Sequence, residues 1–141
     1  MPELATPAVR DAREVLACFY QAILDKSADD LADLYTIDTV HEFPFDSPGF
    51  PPRYEGREAV RAGYRAAWGS SPVRIDEIRR IAVHETTDPG VVVAEHVAVG
   101  TLPARQTTFT VPGLLVLHVH GGLIVRTRDY MDGPGVIGAR G

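Results

Sequence analysis

The chain has 141 residues, enough for one domain with a single core and too few for two. Hydrophobic residues make up 45% and charged residues 23%, an ordinary globular balance without low-complexity tracts. The formal net charge of −5, with thirteen arginines dispersed among acids, argues against a general nucleic-acid binder, and Cys18 has no partner for an internal disulfide. The first thirty residues lack a signal-peptide core and no run approaches the ~20 apolar residues of a membrane span, so a cytoplasmic protein is expected.

Residues 9–25 place Ala12, Val15, Leu16, Phe19, Tyr20 and Ile23 at helical spacing, the stripe of an amphipathic helix. A second helix follows, with Ser27 as N-cap, Asp30 three residues on, and Leu31, Leu34 and Tyr35 on its apolar side. From Thr39 the period becomes two. His41, Phe43 and Phe45 alternate with Val40, Glu42 and Pro44, a strand whose apolar face carries a histidine. Residues 46–55, with three prolines and a glycine, read as an irregular loop able to cover a cavity mouth. A third helix begins near Gly56, with Val60, Tyr64, Ala67 and Trp68 on one face.

The remainder reads as four strands, 73–84, 91–101, 107–120 and 123–132. Gly121-Gly122 suits a two-residue hairpin turn, and Pro112-Gly113 predicts a bulge in the fourth strand. The tail 133–141 reads as a surface extension. Helices at the front and strands at the back give an α+β domain, a strongly bent antiparallel sheet wrapped around the helices.

On the last strand, simple alternation puts Val125, Thr127, Asp129 and Met131 on one face and Arg126, Arg128 and Tyr130 on the other. Asp129 then lies on the apolar face, where an ionised carboxylate is costly unless paired, protonated or kept for chemistry. It reads either as a general acid or base or as a structural carboxylate bonded to an arginine or a helix end. His96 shares a strand face with the small residues Ala94, Ala98 and Gly100, which leave room beside the imidazole. His41 sits among phenylalanines. Each histidine reads as a pocket donor or as a hydrogen-bonded core residue. Tyr20, Tyr64 and Trp68 either line a pocket or are plain core, and Phe43 and Thr127 share the faces of His41 and Asp129. His118 and His120 lack a third ligand at matching spacing, so no metal is expected. The segment Gly56–Val60 lacks the glycine pattern and lysine of a phosphate loop.

This order of elements, with "YEGREAV" opening the third helix and "RDYMD" ending the last strand, resembles the nuclear-transport-factor-2-like superfamily. Within it the chain is most similar to the SnoaL-like polyketide cyclase, ketosteroid isomerase and limonene-epoxide hydrolase group, over about residues 9–132. The resemblance implies a conical α+β barrel with three helices, a deep apolar pocket, and a dimer formed through the sheet. It also implies that Asp129 matches the epoxide hydrolases' catalytic acid, that His41 falls near a pocket tyrosine, and that Glu42 falls near the isomerases' catalytic aspartate. The epoxide hydrolases carry an arginine and a second acid where this chain has His96 and Ala98, so their acid–base pair is incomplete here.

The expectation is therefore a cofactor-free enzyme doing proton-transfer chemistry, an isomerisation, cyclisation or dehydration, on a hydrophobic small molecule. Asp129 would move the proton, His41 or His96 would bind the carbonyl or enolate oxygen, and Tyr20, Phe43, Tyr64, Trp68 and Thr127 would bind the substrate. The alternative is a non-catalytic small-molecule-binding or assembly module of the same fold. A homodimer is expected through Leu114, Val116, Val119 and Ile124, with no nucleic-acid or membrane partner.

Overall fold

The fold is that of a computed structural model, which describes residues 9–45 and 50–131. Helix α1 (Ala12–Asp25) begins at a capping box, where the Asp11 side chain accepts from the Glu14 N–H and Glu14 reaches back to the Asp11 N–H. It buries Ala12, Val15, Leu16, Phe19, Tyr20 and Ala22, the face its periodicity marks. Helix α2 (Ala28–Ala32) is one short turn capped by Ser27, whose hydroxyl accepts from the Asp30 N–H. Strands β1 (Tyr35–Glu42) and β2 (Arg53–Glu55) precede α3 (Arg57–Ser70), and β3 (Arg74–Glu85), β4 (Val91–Leu102), β5 (Thr107–His120) and β6 (Leu123–Met131) complete the chain. Among the described residues no helix is long and apolar enough to cross a membrane.

The sheet order is β2-β1-β6-β5-β4-β3. It is a mixed α+β arrangement, a curved six-stranded sheet that remains open, with β2 and β3 at its edges. It is not purely antiparallel, because β1 runs parallel to β6. The Gly121-Gly122 turn has φ of 59° and 79°, the pair of positive angles that a type I′ hairpin needs. Arg61 of α3 fastens α2 through Asp29 at 2.7 Å and Asp33 at 3.0 Å, and Glu58 one turn back on α3 holds the same guanidinium at 2.9 Å.

Several local expectations are corrected. Tyr35 begins β1 rather than ending the second helix, because α2 stops after five residues and β-branched residues follow. Phe45 does not share the buried face of His41 and Phe43: it is 60% exposed past Pro44 and lies edge-on against Tyr130. Part of the expected loop is β2, while residues 46–49, Asp132 and the tail lie outside the described residues. Pro112 and Gly113 make no bulge, since β4 and β5 keep one register through them. The irregularity falls instead where the pairing of β5 with β6 shifts from His118–Arg126 to Val119–Ile124, which leaves Val125 as an extra residue on β6. Val125 is consequently exposed, whereas Ile124, Thr127 and Asp129 point inward. Ile124 is therefore core and not an outer-face residue, and Val119 also packs against the core.

Candidate active site

Beneath the helices, α1, α3 and the concave faces of β3 to β6 line a cavity of about 180 Å³ that is open on one side. Its walls are mostly apolar, with Phe19, Phe50, Tyr64, Trp68 and Phe109 among them, and Asp129 and His96 face into it. The chain thus places a carboxylate and an imidazole in one apolar chamber.

Asp129 is 7% exposed, and its only polar contact among the described residues is His41 Nε2, 3.5 Å from Oδ2. A nearly buried carboxylate with one long contact is poorly compensated, unlike a structural carboxylate held by an arginine or several N–H groups. Arg126 and Arg128 lie on the opposite face, where both approach Glu42. Glu42 accordingly faces away from the cavity.

His41 is fully buried and does not line the cavity. Its Nδ1 lies 2.8 Å from the Tyr35 hydroxyl, its Nε2 lies 3.2 Å from the Tyr64 hydroxyl, and Thr127 Oγ1 donates to Tyr35 at 3.2 Å. Burial holds the Tyr35 and Tyr64 hydroxyls well above the usual phenol range, so both keep their protons. With Thr127 donating to it, Tyr35 donates its O–H to Nδ1, which makes Nε2–H the donating edge of His41, turned toward Asp129 and Tyr64. The order from the core outward is Thr127, Tyr35, His41, then Asp129 at the cavity.

His96 lines the cavity through a second, part-buried pair. Its Nδ1 lies 3.1 Å from the Tyr20 hydroxyl, and the two rings meet edge-on with centroids 5.3 Å apart. Burial pushes the Tyr20 hydroxyl up to about 12, with Arg80 over the ring opposing and Asp129 adding to the rise. Tyr20 therefore stays protonated and donates to Nδ1, leaving the hydrogen of neutral His96 on Nε2. Burial lowers the His96 pKa, and the Asp129 charge only partly offsets this, so the neutral form is favoured. Nε2 makes no hydrogen bond to any described residue. It lies across Gly113, where an added Cβ would sit 2.7 Å away, so β5 accepts this ring only at a glycine.

Of the residues expected at the site, Asp129, His96, Tyr64 and Trp68 line the cavity, while Tyr20, Phe43, His41 and Thr127 form the layer behind it. Sequence reasoning missed Phe50, Phe109 and Met131 as wall residues and Tyr35 as the partner of His41. Phe109 shares the period-2 face of Val111, Gly113 and Leu115, a signal that was available; Phe50 sits in a proline-rich segment that offers none. Among the described residues no group of three or more His, Cys, Asp or Glu could hold a metal ion.

An uncharacterized PhzA/B-like protein of Pseudomonas aeruginosa is 28% identical over 122 residues, covering 86% of this chain and 84% of that protein. A Bacillus subtilis crystal structure, provisionally named an isomerase, superposes with a TM-score of 0.80 at 26% identity and covers 91% of both chains. A Mycobacterium tuberculosis protein in complex with estradiol-17beta-hemisuccinate shares the fold, with a TM-score of 0.72 at 18% identity over 89% of this chain and 98% of that one. The SnoaL-like domain family matches residues 16–127, most of the chain and all but the ends of the cavity's framework. With the six-stranded curved sheet and its N-terminal helices, that match makes the chain a member of the SnoaL-like domain family within the NTF2-like superfamily.

Proposed function

We propose that this protein is an enzyme that moves a proton on a hydrophobic carbonyl compound. The observation that carries the reading is Asp129, a carboxylate 7% exposed at the end of an apolar cavity with one long polar contact. Asp129 takes a proton from the carbon next to the carbonyl, and the C–H electron pair moves to the oxygen as an enolate. His96 donates its Nε2–H to that oxygen, a fixed neutral donor among mostly apolar walls. Where a β,γ double bond adjoins that carbon, the enolate is a dienolate, which takes the proton back from Asp129 at the γ-carbon as the double bond moves to the α,β position and the carbonyl re-forms, which is isomerisation. Alternatively its carbon attacks a second carbonyl of the same molecule and the proton passes to the new alkoxide, which is cyclisation. His41, itself held by Tyr35 and Tyr64, steadies the carboxylate, and Trp68 and Phe50 hold the ring. That the same fold holds a steroid ester in another protein supports a ring-bearing ligand.

The test is deuterium exchange: 2-tetralone, a two-ring ketone with acidic α-hydrogens, is incubated with the protein in D2O and followed by proton NMR. Catalysed loss of the α-hydrogen signal, absent with Asp129→Asn, is expected. An equal rate for wild type and variant contradicts the assignment.

A further inference from the structure

The cavity's size, walls and charge narrow the substrate further than the reaction does. An apolar cavity of about 150 Å³ accepts benzene, and the chamber here holds about 180 Å³. That space suits one substituted ring or two fused rings and falls well short of four. The sheet side gives the reason. Ala98 and Gly113 leave a slot beside His96, but Phe109, paired across the strands with Gly100, lays its ring over that glycine and occupies the space that a longer molecule would need.

Charge supplies the second constraint. Among the described residues no lysine or arginine lines the cavity, and the only acid that does is Asp129. Lys26, at the rim, points its ammonium at the backbone carbonyls of Ser71 (2.7 Å) and Val73 (2.9 Å). A carboxylate or phosphate on the substrate would therefore enter an apolar chamber without a cation and beside a like charge, a costly transfer. Beyond Asp129 and His96, the polar side chains on the wall among the described residues are Ser71 and the Tyr64 and Trp68 edges. They suit a molecule with one polar end.

We infer that the substrate is a neutral carbonyl compound of one ring or two fused rings, with its carbonyl at the Asp129 and His96 end and its hydrocarbon body between Trp68 and Phe109. This rests on the proton-transfer reading for the carbonyl alone; the limits on size and charge come from the chamber itself.

Titration calorimetry at neutral pH tests it with three probes: 2-tetralone (two rings, neutral), tetralin-2-carboxylate (two rings, anionic) and progesterone (four rings, neutral). Saturable binding of 2-tetralone is expected, at least tenfold tighter than either of the others. Ala98→Leu, which fills the slot, should weaken 2-tetralone binding about tenfold with an unchanged melting temperature, and Phe109→Ala should improve progesterone binding. Progesterone or the carboxylate binding wild type as tightly as 2-tetralone, or no detectable binding of 2-tetralone at millimolar concentration, overturns the inference. Binding of 2-tetralone without α-hydrogen exchange leaves the size and charge class standing and defeats the enzymatic reading instead.

Discussion

Replacing Tyr35 with phenylalanine removes one oxygen from the most enclosed part of the molecule. Tyr35, His41 and Thr127 are all fully buried, and the hydroxyl bonds to His41 Nδ1 at 2.8 Å and to Thr127 at 3.2 Å. Without it Nδ1 has no other donor, and Thr127 Oγ1 loses its recorded acceptor. Leaving one buried polar group unsatisfied costs about 1–3 kcal/mol, and the phenyl ring fills nearly the same volume, so a cavity adds little. We expect a loss of about 2 kcal/mol. With an unfolding entropy of about 2.1 cal/mol/K per residue, the melting temperature should fall by roughly 7 °C for a chain of this length. Calorimetry or thermal circular dichroism measures the shift, and urea denaturation should show a lower midpoint at unchanged slope. Because Tyr35 orients the imidazole that faces Asp129, deuterium exchange should also slow, roughly tenfold. A variant with wild-type stability would show that the chain from Thr127 to His41 is not held as described.

Three further outcomes follow from the same geometry. Tyr20→Phe removes the donor that fixes His96 Nδ1, so nitrogen-15 NMR should show a mixture of His96 tautomers in place of the single Nε2–H form; an unchanged spectrum would refute the role given to Tyr20. His96 has a folded-state pKa below its ordinary value of 6.5, so the unfolded chain binds more protons just below that pH. Its contribution is intact above about pH 6.5 and is lost as pH falls toward the lower folded value. The melting temperature should fall over that interval, and His96→Gln should flatten the decline; an identical slope in both proteins counts against it. Finally, Val93 pairs with Val116 across β4 and β5, and Val97 and Leu114 share their outward strand phase, with Glu95 opposite Leu114. Sedimentation velocity should show a dimer that Val116→Glu weakens, and a strict monomer at micromolar concentration would refute this.

Much of the framework was legible because its signals are local. The α1 stripe, the Ser27 cap and the Gly121-Gly122 turn each depend on residues within a few positions of one another. The inward aim of Asp129 was also legible, yet the alternation that gave it ran through Val125, where the strand slips by one residue. Phase counted from Thr127 holds; phase counted across the bulge does not. The parallel pairing of β1 with β6 is a contact between residues some 85 positions apart in sequence, as between His41 and Thr127, and local pattern carries no information on it. The same distance hid the separation of roles between the histidines. Both lie on apolar faces in the sequence, but only the packing of Tyr35 and Tyr64 around His41, and the gap at Gly113 beside His96, sends one to the core and the other to the cavity.

The central claim is that Asp129 is there to exchange a proton. Asp129→Asn keeps the size of the side chain and an oxygen that can still accept from His41 Nε2–H, so the fold should change by less than about 1 kcal/mol, or gain slightly as a poorly compensated charge is removed. The rate of α-hydrogen exchange on 2-tetralone should fall roughly 10²–10⁴-fold, the usual share of general acid–base catalysis, while 2-tetralone affinity changes little. Measuring exchange rate and melting temperature on the same preparation separates the two possible roles. A variant that exchanges at the wild-type rate, above all one that melts several degrees lower, would make Asp129 a structural carboxylate and contradict the account.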